Sequence, residues 1–321
     1  MNMCQLTSDK DLAAYKTWIT NHADGNLWQS LGRKKYLESL SKEVRIYALK
    51  DDGQIHTSAL VSIDTTTGGY STWEIPRGPI GKDASTLVQQ ISLVAKKEKC
   101  IALFVSPMQE VSIGKKSPRH IHCEATRIVD LTQSEVDILA QMKQKGRYNI
   151  KVATKKEVTV KESKDIDAFY ALIEKTGTRD GFTHLSKKKY RSFLSNLPGS
   201  FLLMAYSSDD KESTPIAGVL SVIWNGTGIY YYGASDHAYR ASMAPYLLQW
   251  ESMKLCKSNG CTSYDLLGIA PEGSGHKHPW AGISSFKEKF GGEVKNYRQE
   301  RIIILKPLLY WLLQMKRKLL K

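Results

Sequence analysis

The sequence lacks the cysteine pattern of a disulfide-stabilised or zinc-binding protein. It has five cysteines among 321 residues, an odd number, and no two of them form a Cys-x-x-Cys pair. An odd count argues against a complete disulfide framework, and structural zinc sites usually contain closely spaced cysteines. We therefore expect a reducing, cytoplasmic environment and a fold that depends on its hydrophobic core.

Long apolar segments are also missing. No run approaches the ~20 apolar residues that are needed to span a bilayer. The first residues, Met-Asn-Met-Cys-Gln-Leu-Thr, show no basic stretch followed by an apolar core. We expect neither a transmembrane helix nor a signal peptide.

Motifs of several common enzyme classes are absent. There is no Gly-x-Ser-x-Gly, no Walker loop and no Gly-x-Gly-x-x-Gly, which disfavours the common hydrolases, NTPases and dinucleotide enzymes. His276 and His278 resemble a metal pair, but no nearby residues complete a ligand set, so we expect a plain loop. The sequence thus predicts no metal and no cofactor.

Acidic residues are scarce relative to basic ones. The chain has 46 Lys and Arg against 32 Asp and Glu, which gives a net charge of +14 and a pI near 9.4. Such an excess favours a polyanionic partner: RNA, a nucleotide-linked precursor or the anionic face of a membrane. A basic surface that only confers solubility is the alternative.

The sequence does contain enough residues and enough elements for two domains, since single cores rarely grow beyond ~250 residues. Strand-rich runs separated by Asp51-Asp52-Gly53 and Gly68-Gly69 predict hairpins, followed by a helix and a buried strand. The same order recurs from about residue 126 to 267. We therefore predict an α/β (α+β) chain with two copies of one fold, domains 1–131 (completed by 298–321) and 132–297.

Residues 229–292 carry most of the expected chemistry. An aromatic strand at 229–233 runs into a polar turn, and Ser242 with Pro245 predicts the start of a helix. This order resembles the pyrophosphate site of acyl-CoA N-acyltransferases, where Arg240-Ala-Ser-Met-Ala replaces Arg/Gln-x-x-Gly-x-Gly/Ala. Without the glycines the backbone cannot approach a pyrophosphate closely, so the pattern favours that fold and disfavours that cofactor.

Several side chains are candidates for contact with substrates. In the strand, turn and helix of residues 229–292 we expect substrate-binding groups at Tyr232, Asp236, Tyr239, Arg240 and Tyr246. Lys34, Arg77 and Arg191 are candidates for a phosphate or carboxylate, with a structural turn arginine as the alternative for Arg77. Lys145, Arg147 and Lys151 form a basic helical run that suits RNA phosphates and a solvated helix face about equally.

Short motifs follow one another over nearly the whole chain: Trp28-Gln29-Ser30, Pro76-Arg77-Gly78-Pro79, Asp130-Leu131, residues 145–153, 176–182 and 231–235, Ala244-Pro-Tyr246, Trp250-Glu251, Tyr264-Asp265 and Phe286-Lys287-x-x-Phe290-Gly291-Gly292. Together they resemble the Fem-type (FemABX) non-ribosomal peptidyltransferases. The chain departs from the family at Arg33, where a tryptophan is common, and at Ser106, where an acidic residue is common.

The resemblance implies two tandem GNAT-like (acetyltransferase-like) domains without the long helical arm of some members. It implies transfer of an amino acid from aminoacyl-tRNA to the amine on the third residue of a peptidoglycan stem peptide. Phe286 and Lys287 match the family pair near the reacting groups, and Lys287 is implied to stabilise the transition state. A capping or surface lysine is the alternative for Lys287.

The expected partners follow from this reaction: aminoacyl-tRNA and a UDP-linked or lipid-linked muropeptide precursor, with no DNA. Because the donor ester is already activated, no nucleophilic triad is required, and Asp236 is one candidate base. The apolar and basic tail, 307–321, predicts a helix that either packs on the fold or contacts the inner membrane face. An acyl-CoA-dependent N-acyltransferase and a non-catalytic RNA-binding protein are the competing hypotheses.

Overall fold

The computed structural model describes residues 2–66, 68–118, 120–207 and 214–319. The chain forms two compact units, one of Met1–Glu124 with Tyr297–Lys321 and one of Ala125–Asn296. The predicted tail helix is described to residue 319, and the last two residues of that prediction lie outside the described ranges.

The first unit begins with a strand, two helices and a series of paired strands: β1 (Asn2–Gln5), α1 (Asp9–Asn21), α2 (Leu31–Ser39), β2 (Glu43–Asp51), β3 (Gln54–Thr65), β4 (Ser71–Ile75), β5 (Ile80–Gly81), α3 (Ala84–Lys97), β6 (Cys100–Val105) and β7 (Lys115–Lys116). Serines start both early helices. Ser8 Oγ accepts from Asp11 N at 3.1 Å and Ser30 Oγ from Arg33 N at 3.0 Å, as N-caps do.

The second unit follows the same plan: β8 (Ala125–Asp130), α4 (Glu135–Gln141), α5 (Gln144–Lys155), β9 (Thr159–Ser163), α6 (Ile166–Asp180), α7 (Lys187–Asn196), β10 (Ser200–Tyr206), β11 (Pro215–Trp224), β12 (Thr227–Ser235), α8 (Ala244–Ser258), β13 (Ser263–Ile269), α9 (Ala281–Lys287) and β14 (Glu293–Asn296). The chain then returns to the first unit as β15 (Arg301–Ile304) and α10 (Pro307–Leu319).

The two sheets have the same strand order. The first runs β1-β2-β3-β4-β6-β15-β7, with β5 paired to β3, and the second runs β9-β10-β11-β12-β13-β8-β14. In each, the fourth and fifth strands are parallel and their other neighbours along the path are antiparallel. The sixth strand comes from another part of the chain in both sheets. The prediction of two copies of one mixed α/β fold is confirmed.

The boundary between the units differs from the predicted one. Strand β8 pairs with β13 and β14 of the second sheet, so the first unit ends at Glu124 and not at residue 131. The pattern at 126–131 identifies a strand but does not say which sheet it joins. Strands β1, β5, β7, β9 and β14 were not predicted. β5 has only two residues, and the other four lie at sheet edges, where exposed strands lack the apolar alternation that identifies a strand in sequence.

Each unit has its own hydrophobic core. In the first, α3 buries Leu87, Val88 and Ile91 against the sheet. In the second, α8 buries Trp250 and Met253, which lie three residues apart on one face of the helix. Among the described residues no helix is longer than 15 residues, so the described part of the chain has no long helical arm. None of these helices combines the length and hydropathy of a membrane-crossing segment.

Candidate functional site

The parallel strands of the second unit separate part-way along their length. Residues 227–229 of β12 pair with 263–265 of β13, although the two strands continue to Ser235 and Ile269. Past that point each strand carries a bulge against its other neighbour: at Tyr231 opposite β11, and between Asp265 and Gly268 opposite β8. Because bulges bend strands and redirect side chains, the two strand ends diverge.

Lys287 lies where the strands separate. It is the last residue of α9 and is only 5% exposed. Its Nζ donates to the carbonyl oxygens of Leu267 at 3.1 Å and Gly268 at 2.7 Å, and it lies 5.4 Å from the ring centroid of Tyr230. One ammonium therefore contacts β13 through two carbonyls and β12 through a ring. A buried cation acts through a field that water screens only weakly.

The carbonyls that bind Lys287 belong to a strained bulge that Asp265 holds in place. Leu267 has a φ of 58°, in the left-handed region that costs a non-glycine residue about 1 kcal/mol or more. Asp265, which is 6% exposed, accepts hydrogen bonds from Leu267 N at 2.7 Å and from the hydroxyl of Thr126. Asp265 thus fixes the backbone that in turn fixes the ammonium.

An aromatic cluster surrounds the base of α9. The Phe286 ring lies 5.1 Å from the Tyr246 ring and 5.1 Å from the Phe290 ring. Gly291 and Gly292 follow with φ near 77°, and a Cβ on Gly292 would lie 2.4 Å from the Ile128 carbonyl oxygen. A Cβ on Gly291 would lie 2.8 Å from the carbonyl oxygen of Gln141 at the end of α4, so the two glycines allow this segment to approach both the helix and the sheet closely.

Tyr230 was not predicted as part of the site. Burial raises the pKa of Tyr230 to about 12, an effect that exceeds the opposing hydrogen bond from Gln249. A Cβ on Gly233 would lie 2.0 Å from the Tyr230 hydroxyl, so only glycine fits there. Nothing in the sequence marks Tyr230, because its role depends on the bulge at Tyr231.

The predicted polar turn is a 3-10 helix, His237–Ser242. Asp236 caps it by accepting from Ala238 N at 2.9 Å, and Lys175 Nζ donates to Asp236 at 2.6 Å. That hydrogen bond lowers the pKa of Asp236 and makes the carboxylate a weaker base. Tyr239 and Arg240 lie on the exposed side of this helix.

The predicted helix start at Ser242 is displaced. Helix α8 begins at Ala244, and its N-cap residue is Met243, which has a φ of 55°. Met243 occupies the first glycine position of the acyl-CoA pattern and adopts the left-handed conformation that a glycine would favour. Its side chain packs against the core of the second unit, and a residue with a Cβ at this position allows a less close approach of the backbone to a pyrophosphate than glycine would.

Tyr232 packs against α7, the helix that also carries Arg191. The Tyr232 ring contacts the Tyr190 ring at 5.0 Å and the Phe193 ring at 5.5 Å. Arg191 is largely exposed, donates to both carboxylate oxygens of Asp167 at 3.2 Å, and lines a cavity of about 490 Å³.

In the first unit, Arg77, the candidate contact for a phosphate or carboxylate, is buried. It is 3% exposed, has a φ of 47°, and donates to the Cys123 carbonyl oxygen at 2.6 Å. Its guanidinium carbon lies 3.4 Å from the ring centroid of Tyr297. Arg77 is thus held by protein groups, as the structural alternative requires. Lys34 lies on α2, with its side chain 22% exposed, and pairs with Glu38.

The motifs around Arg77 are likewise structural in character. Gln29 is fully buried, its Nε2 donates to the Pro76 carbonyl oxygen at 2.6 Å, and its Oε1 accepts from Leu60 N at 2.7 Å. Ser106, where the family often has an acid, donates instead to the buried carboxylate of Glu300 at 2.7 Å.

The basic run is on α5, and its members have different roles. Arg147 donates to the carbonyl oxygens of Ala140, at 3.1 Å, and Met142, so its guanidinium caps the end of α4. Lys145 and Lys151 are exposed, and Tyr148 between them is 64% exposed. No group of three metal-ligating side chains occurs among the residues that the structure describes.

Comparison with known proteins agrees with this architecture. The sequence matches the FemAB family over residues 11–134, 116–207 and 202–318. It is 21% identical over 395 aligned positions to the Lipid II:glycine glycyltransferase of Staphylococcus aureus, covering 94% of this chain and 93% of that protein.

Two solved structures show the same fold. FemX has a TM-score of 0.82 at 18% identity, covering 97% of this chain and 99% of its own. A tandem GNAT protein from the clavulanic acid biosynthesis pathway has a TM-score of 0.57 at 9% identity, covering 95% and 98%. With the family match spanning nearly the whole sequence, the chain belongs to the FemAB family and is an aminoacyltransferase.

Proposed function

We propose that the protein transfers an amino acid from aminoacyl-tRNA to the side-chain amine of the third residue of a peptidoglycan stem peptide. The observation that carries the proposal is the buried ammonium of Lys287, fixed where β12 and β13 diverge. In the proposed reaction, the acceptor amine attacks the ester carbon of the charged tRNA. The C–O bond to the ribose then breaks, and the tRNA leaves with a free hydroxyl.

The proposed role of Lys287 is electrostatic. The ester is already activated, so the enzyme has to orient the amine and stabilise the negative oxygen that develops on the tetrahedral carbon. A cation that is already immobilised by Leu267 and Gly268 needs little reorganisation as that charge forms. Phe286 and Tyr246 would provide an apolar surface beside the reacting groups.

Two titratable side chains of the second unit are poorly suited to act as the base. The hydrogen bond from Lys175 lowers the pKa of Asp236, which weakens its affinity for a proton. Burial raises the pKa of Tyr230 to about 12, so its phenol stays neutral near pH 7. We propose that Asp236 instead orders the segment that carries Tyr239 and Arg240, which with Tyr232 would contact substrate.

For the donor, we propose that the exposed face of α5 binds tRNA. Lys145 and Lys151 provide charge for phosphates, and Tyr148 provides an exposed ring on which a base can stack. Arg147 would support this face by joining α5 to the end of α4.

For the acceptor, we propose a lipid-linked muropeptide precursor. The support is the name of the S. aureus relative, which specifies lipid II. Arg191 and Lys34 are the proposed contacts for its phosphates or carboxylates, since both keep exposed surface although each has an acidic partner. The enzyme would work in the cytoplasm, where charged tRNA is found, and reach its acceptor as a peripheral protein.

The acyl-CoA alternative has less support. Met243 places a side chain where a pyrophosphate-binding loop has glycine. Measurable binding of acetyl-CoA would revive it.

The test is to incubate the purified chain with mixed charged tRNAs and a lysine-containing precursor, in nucleotide-linked and lipid-linked forms, and to measure the product mass. We expect the acceptor mass to rise by one or more aminoacyl residues, with more product on the lipid-linked form. tRNA binding without any mass increase would contradict the proposed reaction and favour a non-catalytic RNA-binding protein.

A further inference from the structure

The outward face of α10 is apolar. Leu308, Trp311, Leu312 and Met315 are 71%, 56%, 48% and 39% exposed. They follow one another at positions i, i+3, i+4 and i+7, so they form one continuous stripe along the helix. A helix on a water-exposed surface normally turns polar side chains outward, and a stripe of large apolar side chains indicates a binding surface.

The opposite face of α10 already has a partner. Tyr310 packs against a small cluster in the first sheet that contains Ala102, Phe104 and Ile302. The exposed stripe is therefore a second apolar face, on a helix whose first apolar face is packed on the fold.

The charge around the stripe is of one sign. Residues 301–321 include six Lys and Arg and no Asp or Glu, and Lys316 at the end of the stripe is exposed. The whole chain has a net charge of +14. A second copy of the chain would carry the same charge and be repelled, and RNA would make no use of the apolar stripe. An anionic lipid surface is attracted by the charge and buries the stripe.

We propose that α10 binds the surface of an anionic bilayer, lying in the plane of the interface with Trp311 at the level of the headgroups. This inference goes beyond the proposed reaction, because it concerns a surface that can be tested without substrates. If both hold, α10 brings the enzyme to the layer in which a lipid-linked acceptor is embedded.

The experiment is co-sedimentation of the full chain with vesicles of phosphatidylcholine alone or mixed with phosphatidylglycerol. We expect binding to the mixed vesicles that weakens with salt, and much weaker binding to phosphatidylcholine. Leu312→Glu should lower the partition coefficient by at least about tenfold. Lys316→Glu should lower it by roughly fivefold on the anionic vesicles.

Val136→Glu is the matched control, because Val136 is 74% exposed on α4 of the second unit. It should bind vesicles like the wild type, and melting curves should show that all variants are folded. The proposal is overturned by an absence of vesicle binding, by equal losses in the control, or by equal binding to both lipid mixtures. It is also overturned by a concentration-dependent dimer that Leu312→Glu dissociates, which would assign the stripe to a second copy.

Discussion

The two units share one strand order, but the extent of pairing between their two parallel strands differs. In the first, β4 and β6 pair through five residues to the ends of both strands. Two hydrogen bonds extend this pairing beyond the strands: Ser106 N donates to Ile75 O at 3.0 Å, and Gly78 N donates to Ser106 O at 3.1 Å. In the second, β12 and β13 pair through three residues and then separate.

Each unit also has a buried cation near its parallel pair, and the two cations are held in different ways. Arg77 is enclosed by Cys123 and Tyr297. Lys287 is held by the carbonyls of a bulged, strained strand. The shared fold alone therefore does not determine the candidate site around Lys287. In the second unit, pairing stops where β12 and β13 carry bulges against their other neighbours and where Leu267 adopts a left-handed conformation.

The largest effect on stability should come from Arg77→Met. The substitution leaves the Cys123 carbonyl without its donor and removes the stacking on Tyr297, so we expect a loss of about 2–4 kcal/mol in unfolding free energy. Denaturant unfolding measures it, with the exposed Lys97→Met as the control. Unchanged stability together with weaker precursor binding would contradict the structural role of Arg77 and would make it a contact for the acceptor.

Asp265→Ala should affect the rate of transfer. Without the carboxylate, Leu267 N loses its acceptor and the carbonyls that hold Lys287 shift, so we expect kcat to fall on the order of tenfold with little change in KM. Asp265→Asn keeps an acceptor oxygen and should retain most of the rate. Equal losses in both variants, or a change confined to melting temperature, would remove Asp265 from a positioning role.

Lys145→Glu with Lys151→Glu should weaken tRNA binding by roughly tenfold and reduce the salt dependence of binding by about one unit of slope per lysine. The control is Lys96→Glu with Lys97→Glu, a charge-matched pair on exposed positions of α3 in the first unit. If the control loses as much tRNA affinity as the α5 variant, binding follows net charge and not the α5 face.

The smallest effect is expected for Tyr230→Phe. Because burial raises the pKa of Tyr230 to about 12, its hydroxyl should contribute no ionisation to the rate between pH 7 and about 9.

The same pKa shift affects stability. The folded state holds the Tyr230 phenol proton more tightly than the unfolded state, in which the tyrosine pKa is near 10. The associated stability is thus present below pH ~10 and lost as pH rises towards 12. Tyr230→Phe should therefore resist alkaline unfolding better, and a displaced pH–rate profile would contradict this assignment.

The sequence predicted most of the fold because apolar periodicity identifies buried elements. The hairpins at Asp51-Asp52-Gly53 and Gly68-Gly69 follow from local turn rules, and they form the β2–β3 and β3–β4 pairs. The sequence did not predict that β8 joins the second sheet, because strand pairing depends on contacts between residues far apart in the chain. At the site, Phe286 and Lys287 were found by family resemblance. Tyr230 was not, because its contact with Lys287 depends on backbone bulges whose extra residues, Tyr231 in β12 and Leu266 and Leu267 in β13, include no glycine or proline.

The most direct test of the account is the single-turnover transfer rate of Lys287→Met with pre-charged tRNA and saturating precursor, recorded alongside its melting curve. We expect the rate to fall on the order of 10²–10³-fold in a folded protein whose affinities for tRNA and precursor stay within a few-fold of wild type. Lys287→Arg should not restore the rate fully, because a planar guanidinium does not replace a compact ammonium. A folded Lys287→Met enzyme with a normal rate would show that Lys287 only holds the strand bulge, and would contradict the proposed role of the second unit's open strand pair.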